Sequence, residues 1–560
     1  MKYLLLLLAY APIFSQVNYP KDYFQQPLDI PMQLSGNFGE LRPNHFHAGF
    51  DFKTQRKEGL IVHAAADGYI SRIRISPYGY GKAIYIDHPN GYTTVYGHLQ
   101  KGYEQVEAFI QKQQYDQQSY EIDYLPPPGE FPVKKGDTIA YSGNTGGSEG
   151  PHLHFEIRDT KSEKIINPQF FGFEIKDTKR PFVSALVAYP VGDSSSVNES
   201  SRPIIINMKL QPDGSYIADK VSANGKLGFG VTTADLDDVS YNNNGVYQVE
   251  TYYNGQPYFG YRFDTFAFDE GRYINALIDF PRYKKTKVRV QKLFMQQPFA
   301  LSIIHTTPHN GIITMVPNLM QSYRIEVSDF TGNTTRIMVP IEYSLLPAQI
   351  PSETIKTPYL VKAGKDSSFE KNNSSVFFPA GTFYDDFYLN FDVTDSVMTV
   401  QDDYTPVHSN FQVSIADANA TNPEKTFIAS LSGKSLSYNA TKFKDHTFTS
   451  YTKNLGQFKL AKDTIAPKIT IAKPIEGKWI TNQKSIQLGI SDNLSGIKSY
   501  SGFINEKWVL FEYDYKTKKI TYTFDDAQIS EGKNDLKVIV SDNLGNSAIF
   551  ETQFFRSQKQ

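Results

Sequence analysis

Gly150-Pro151-His152-Leu153-His154-Phe155-Glu156-Ile157 alternates polar and apolar residues, the signature of a half-buried strand. Residues i and i+2 of a strand share a face. His152 and His154 are therefore expected to project together while Leu153 and Phe155 enter a core. Two imidazoles side by side on a rigid strand suit a metal site. Upstream, His47-Ala48-Gly49-Phe50-Asp51 offers a second pair of ligands, and Tyr96-Gly97-His98-Leu99 a further histidine. A catalytic zinc takes three protein ligands and keeps one position open. It brings bound water to a pKa near 7, and the protein still supplies a base and an oxyanion donor. Four histidines and one aspartate suffice, three as ligands and two for the chemistry. Strand geometry leaves His152 and His154 equivalent. Small residues beside each histidine (Ala48-Gly49, Gly97, Gly150-Pro151) allow close approach. The bland alternative is a set of histidines facing solvent on a sheet.

Working outward, short strand-like runs recur at 59–64, 68–75, 83–87 and 92–96, punctuated by Gly, Pro and Asn as in Asp87-His88-Pro89-Asn90-Gly91. They predict an antiparallel β domain over 36–172. His88 reads as a solvent-exposed turn residue, and His45 and His63 as structural or supporting. Between His98 and Gly136 lies a polar insert, with a helix expected from Tyr103 to Tyr120 and a Pro126-Pro127-Pro128-Gly129 loop after it.

Residues 1–15 carry one lysine, a short Leu-rich run and a small residue at Ser15, the pattern of a secretory signal peptide. The run is short for a membrane span. Residues 16–35, with three prolines, read as a leader. The chain of 560 residues has no cysteine, which excludes disulfides, thiol catalysis and cysteine zinc ligands. A net charge of −2 gives no bulk attraction to nucleic acid.

After Phe171 the chain is rich in Tyr, Phe, Thr and turn residues, as all-β domains are. Tyr323–Asn333 and Leu536–Asn546 resemble each other, and each has an acidic turn upstream, Ala234–Asp238 and Ser491–Gly496. Two copies of a β-sandwich unit fit this, over 176–345 and 466–556. Aspartates such as Asp492 read as solvated turns rather than calcium ligands, because no complete oxygen-ligand loop is legible. His305 and His309 flank Pro308 and read as structural.

Taken together, Phe38-Gly39 with Arg42, His47-Ala-Gly-Phe-Asp51, Tyr96-Gly-His-Leu99, Lys135-Gly-Asp137, Ser142-Gly-Asn-Thr-Gly146 and Gly150-Pro-His-Leu-His-Phe-Glu156 resemble the lysostaphin/LytM-type zinc endopeptidases. The resemblance covers about residues 36 to 160. It implies a duplicated-hybrid-motif β fold with one zinc held by His47, Asp51 and His154. It makes His152 and His98 the catalytic residues that handle the water and the oxyanion. The expected architecture is all-β: signal peptide 1–15, leader 16–35, zinc endopeptidase domain 36–172, then β-sandwich domains at 173–345, 346–465 and, Ig-like, 466–560. The expected function is an exported zinc metalloendopeptidase acting on bacterial peptidoglycan peptides in the periplasm, envelope or medium. The tail would position it on an envelope protein or glycan partner. The alternative is a non-catalytic envelope adaptor that binds peptidoglycan or activates another wall hydrolase.

Overall fold

The computed structural model describes residues 18–352, 355–524 and 529–557; the signal peptide expected at 1–15 lies outside them. The stretch around His152 is a strand, paired on both sides in a ten-stranded antiparallel sheet. Its principal members are β1 (Leu34–Gly36), β2 (Phe50–Lys53), β3 (Gly68–Ile75), β4 (Lys82–Asp87) and β5 (Tyr92–Leu99). Helix α1 (Glu104–Gln117), β6 (Ile122–Tyr124) and β7 (His152–Asp159) follow. The spatial order is β1-β2-β7-β5-β4-β3-β6. The half-buried strand read from sequence is corrected, because both faces of β7 are covered and His154, Glu156 and Arg158 are buried on its polar face. Leu153, Phe155 and Ile157 are fully buried, each contributing roughly 1.5–3 kcal/mol of apolar burial. A smaller sheet of Ile61–His63, Thr138–Tyr141 and Lys101–Gly102 completes the domain.

The segment read as a leader is part of this domain. Phe24, Leu28 and Leu34 lie in its core, and β1 pairs with β2. The reading of His88 as solvent-exposed is corrected: it is buried, bonded to the Asp67 carbonyl and the Thr94 hydroxyl, each at 2.8 Å. Phe24 packs edge-on against it at 5.2 Å, so the leader covers that turn. The expected helix forms as α1 and stops at Gln118, whose φ of 46° is left-handed. It buries Val106, Ile110 and Gln114, while Phe109 packs on Tyr124 and Phe131.

A short strand β8 (Ile165–Ile166) leads to the next unit. That unit holds β9 (Phe182–Pro190), β10 (Lys226–Ala234), β11 (Thr265–Phe266) and the hairpin of β12 (Met320–Ser328) and β13 (Thr334–Tyr343). β8 pairs with β7 on one side and β11 on the other. One hydrophobic core runs from Phe24 to Ile341. The first sheet therefore continues across the boundary expected at 172. Phe38 against Phe266 and Phe46 against Phe263, at 5.0 and 5.4 Å, fasten the His47 loop to the second unit.

Residues 360–462 form two five-stranded antiparallel sheets and a two-stranded one around Phe378, Met398, Phe411 and Val413. The last unit pairs β14 (Lys468–Ile471) with β15 (Ser485–Ser491) and ends in the hairpin of β16 (Gly532–Asp542) and β17 (Ser547–Arg556). This pattern repeats β9, β10 and the β12–β13 hairpin. Ser328-Asp329 and Ser541-Asp542 sit at equivalent ends of β12 and β16, before the hairpin turn. The chain is mostly β throughout, and no helix among the described residues is long and apolar enough to cross a membrane.

Candidate metal centre and active site

Strand register builds the centre. His154 on β7 lies directly across from Asp51 on β2 and from Gly97 on β5. Cross-strand partners project to one face, so Asp51 and His154 meet. His47 precedes β2 and returns over it. Gly49 makes this possible, since a Cβ there would stand 2.1 Å from the Phe155 carbonyl oxygen. His47 Nε2, His154 Nδ1 and Asp51 Oδ1 then converge: 3.1 Å from His47 to Asp51, 3.2 Å from His47 to His154, and 2.8 Å from His154 to Asp51. All three residues are buried.

The outer contacts determine what these atoms carry. His47 Nδ1 donates to the Asn37 carbonyl at 2.7 Å, which leaves a lone pair on Nε2. His154 Nε2 donates to Glu156 Oε1 at 2.8 Å, which leaves a lone pair on Nδ1. Arg42 occupies Asp51 Oδ2 at 2.6 Å, which leaves Oδ1. Three acceptors thus face one another with no hydrogen between them, an arrangement that needs a cation. Their separations are close to the edge of about 3.3 Å in a tetrahedron with zinc bonds of about 2.0 Å. Two imidazoles and a carboxylate are a zinc donor set, and the residues present fit the ion. Without a cation a proton takes its part: burial opposes it, but the bonds to Asp51 and Glu156 push His154 up to about 9.

His152 points the same way as His154 but does not join the three. Its Nδ1 donates to the Gly150 carbonyl at 2.8 Å and lies 3.1 Å from Ser148 Oγ. Its Nε2 has no hydrogen-bond partner among the described residues and stands 3.4 Å from Asp51 Oδ1. His98 repeats the pattern. Its Nδ1 donates to the Thr145 carbonyl at 2.8 Å, and its ring lies 4.7 Å from that of His152. Burial first, then the neighbouring His154 and His152, lower it to about 3, so it is neutral at ordinary pH. His98 has φ 57°, uncommon for a side-chain-bearing residue. The β4–β5 register shifts nearby, and such a bulge re-aims a side chain. His152 thus turns an Nε2 lone pair toward the metal position, and the His98 ring lies beside it.

The five residues singled out from sequence come together at one point. His45 lines the cleft; His63 bonds Asp29 and the Gly136 carbonyl away from it. Sequence reasoning gave no role to Glu156, which is fully buried and holds His154, Arg158 and the Tyr80 hydroxyl. Its signal was present, two residues beyond His154 and on the same strand face. Arg42, Asn37, Thr145 and Ser148 were also missed as orienting groups, because their contacts depend on how the chain turns back around the site.

The centre opens into a cleft of about 1640 Å³. Ile30 and Gln33 of the leader segment line it, as do Tyr78, Pro151 and, from the second unit, Phe268. The last unit reaches the rim. Lys516 Nζ donates to the carbonyls of Asn144 and Ser148 at 2.7 and 3.1 Å, Tyr515 packs on Tyr78, and Glu512 pairs with Lys82 at 2.9 Å.

Comparison with known proteins agrees with this geometry. Residues 45–115 and 129–168 match the family model Peptidase family M23, and residues 358–463 match the Zu5-like domain. The M23 match is interrupted within the insert after His98. An uncharacterized metalloprotease of Haemophilus influenzae is 33% identical over 157 residues, 26% of this chain and 27% of that protein. The DD-carboxypeptidase/endopeptidase Mpg of Neisseria meningitidis serogroup B is 30% identical over 146 residues, 26% of this chain and 25% of its own length. The peptidoglycan DD-endopeptidase ShyA of Vibrio cholerae is 31% identical over 137 residues, 23% of this chain and 26% of its own. The chain thus spans about a quarter of the length of these curated relatives. Among solved structures, the catalytic domain of lysostaphin from Staphylococcus simulans is 26% identical, covering 26% of this chain and 93% of that one, with a TM-score of 0.20. On the family match and the buried His47, Asp51 and His154 within it, the N-terminal region of this chain belongs to the lysostaphin-like M23 metallopeptidases.

Proposed function

We propose that this protein is an exported zinc metalloendopeptidase that hydrolyses peptide bonds in bacterial peptidoglycan, with His47, Asp51 and His154 as ligands and His98 and His152 as catalytic residues. The observation that carries the reading is the convergence of three lone pairs within 3.2 Å, with the unpaired His152 Nε2 and the His98 ring beside them. Zinc held there supplies a water acidified to about pKa 7 and a Lewis acid for the scissile carbonyl. His152 and His98, each with Nδ1–H fixed on a backbone carbonyl, offer Nε2 to take the proton of the attacking water. Once protonated, either becomes a donor for the oxyanion or the leaving amine. Glu156 holds His154 in the ligating tautomer, and Arg42 keeps Asp51 turned inward. The printed activity of ShyA, a peptidoglycan DD-endopeptidase, favours wall peptides as substrate.

The tail supports the cleft as well as extending it, since Lys516 braces the loop that carries Ser148 against His152. Whichever envelope surface the remaining β domains meet, the peptidase would be positioned by it. The test is digestion of purified cross-linked peptidoglycan with the products weighed by mass spectrometry. Release of peptides cut at a single bond type, abolished by a zinc chelator and restored by zinc, is expected. Intact peptidoglycan in the presence of zinc would overturn the reading.

A further inference from the structure

The second and last units each gather three aspartates at the same place in the fold. In the second unit these are Asp177, just before β9, Asp235, just after β10, and Asp329, just after β12. In the last they are Asp463, before β14, Asp492, after β15, and Asp542, closing β16. One carboxylate oxygen of each lies within 4.8 Å of the other two. The local sequence repeats as well. Asp177-Thr-Lys-Arg-Pro181 matches Asp463-Thr-Ile-Ala-Pro467, and Asp329-Phe-Thr-Gly-Asn333 matches Asp542-Asn-Leu-Gly-Asn546. Asn333 Nδ2 bonds both Asp329 Oδ2 and the Asp177 carbonyl, and Asn546 Nδ2 bonds both Asp542 Oδ2 and the Asp463 carbonyl.

Three converging carboxylates need a counter-charge, and no salt bridge reaches any of the six among the described residues. Lys179, two residues from Asp177, gives its ammonium to the Asp237 carbonyl instead. The second unit adds an independent sign of a missing ligand. Asp235 and Asn244 are each 5% exposed, line one small cavity with Asp177 and Asp329, and leave an Oδ1 without any partner. The Asn244 amide cannot be flipped to hide this. Its Nδ2 donates to the Asp237 carboxylate at 3.0 Å, so the unpaired atom is the oxygen. A buried acceptor without a partner is costly. Two of them beside two further carboxylates are balanced by a cation.

We infer that Asp177, Asp235, Asp329 and Asn244 form a calcium site, and that Asp463, Asp492 and Asp542 form its copy in the last unit. The donors are all oxygen, which selects a hard cation over zinc. Several protein oxygens with irregular spacing suit calcium, whereas magnesium keeps most of its waters and demands an octahedron. In the last unit Asp492 Oδ1 and Ser495 Oγ are likewise unpaired. The first site also lies against the peptidase domain. Asn37, whose carbonyl holds His47, exchanges two hydrogen bonds with Gly245, next to Asn244. A cation there braces the 235–245 loop on which Asn37 rests.

The experiment is calorimetric titration of calcium chloride into the zinc-loaded full chain in calcium-free buffer, with magnesium chloride as comparison. Two calcium ions per chain are expected, with dissociation constants on the order of 10⁻⁴–10⁻³ M or tighter, and at least tenfold weaker magnesium binding. Asp235→Asn should lose one ion and Asp492→Asn the other, each with an unchanged far-UV spectrum. Uptake of only one ion by the unaltered chain, lost in Asp235→Asn, would overturn the second site and keep the first. No saturable uptake by the unaltered chain up to about 10 mM, well beyond the range for extracellular modules, would overturn both. So would uptake that both variants leave intact.

Discussion

Replacing Glu156 by glutamine tests how the centre is held without touching a ligand. Glu156 Oε1 accepts from His154 Nε2 at 2.8 Å, and Oε2 accepts from Arg158 at 2.6–2.7 Å. Glutamine has one acceptor end. If it serves His154, its amide faces the Arg158 guanidinium, donor against donor. If it serves Arg158, His154 Nε2 meets a donor and the ligating tautomer is lost. Arg158 is 7% exposed and Glu156 is fully buried, so solvent screens little of either loss. Leaving one partner of a buried pair uncompensated costs about 3–5 kcal/mol. Losing the orienting group of a ligating histidine lowers metal affinity about 10- to 100-fold. The assay is competition for zinc against a coloured chelator, paired with thermal melting of the metal-free chain. Glu156→Gln should be weaker by about that factor and melt lower. An affinity within about twofold of the unaltered chain would show that Glu156 does not fix the tautomer, since loss of such an orienting group costs about 10- to 100-fold.

The remaining expectations concern the histidine roles, the tail and pH. His152→Ala and His98→Ala should keep near-stoichiometric zinc while turnover falls by about 10²–10⁴, whereas His154→Ala should lose both; elemental analysis and turnover on the same preparations decide this. Lys516→Ala should lower turnover about 2- to 10-fold with zinc content unchanged, because roughly 1 kcal/mol of hydrogen bonding to the Asn144–Ser148 loop is lost; peptide kinetics measure it. In calcium-free buffer, burial first, then Asp177 and Asp329, push Asp235 up to about 8, against about 3.9 for an unfolded aspartate. The folded chain then holds a proton that the unfolded chain has released. Its contribution to stability is full below about pH 4 and is lost as pH rises toward 8. Melting temperatures should show that slope, and saturating calcium or Asp235→Asn should flatten it.

The site was legible because its chemistry sits in short, local patterns. The period-two alternation of β7 places His152 and His154 on one face, and the turn residues around His47 and His98 mark close approach. The division of labour within the pair was not legible. It rests on where each Nδ1 goes, the Gly150 carbonyl for His152 and Asp51 for His154, which is set by register and not by composition. The same is true of His88. Its turn reads as exposed until Phe24, more than sixty residues earlier, is folded onto it. The aspartate clusters were read as solvated turns because each ligand comes from a different strand end. No single stretch contains them, and only the β9–β10–β12 and β14–β15–β16 arrangements bring them together. The merging of the first two units through β8 and β11 is equally silent in sequence, since two-residue strands carry no periodicity.

In the proposed centre His47, Asp51 and His154, and not His152, hold one zinc. Zinc-edge X-ray absorption on the purified full chain addresses it directly. One equivalent of zinc is expected, with nitrogen and oxygen ligands at about 2.0–2.2 Å and scattering from two imidazoles. His152→Ala should leave that spectrum unchanged, and His154→Ala should abolish it. A spectrum fitted by three imidazoles and reduced to two in His152→Ala would contradict the account.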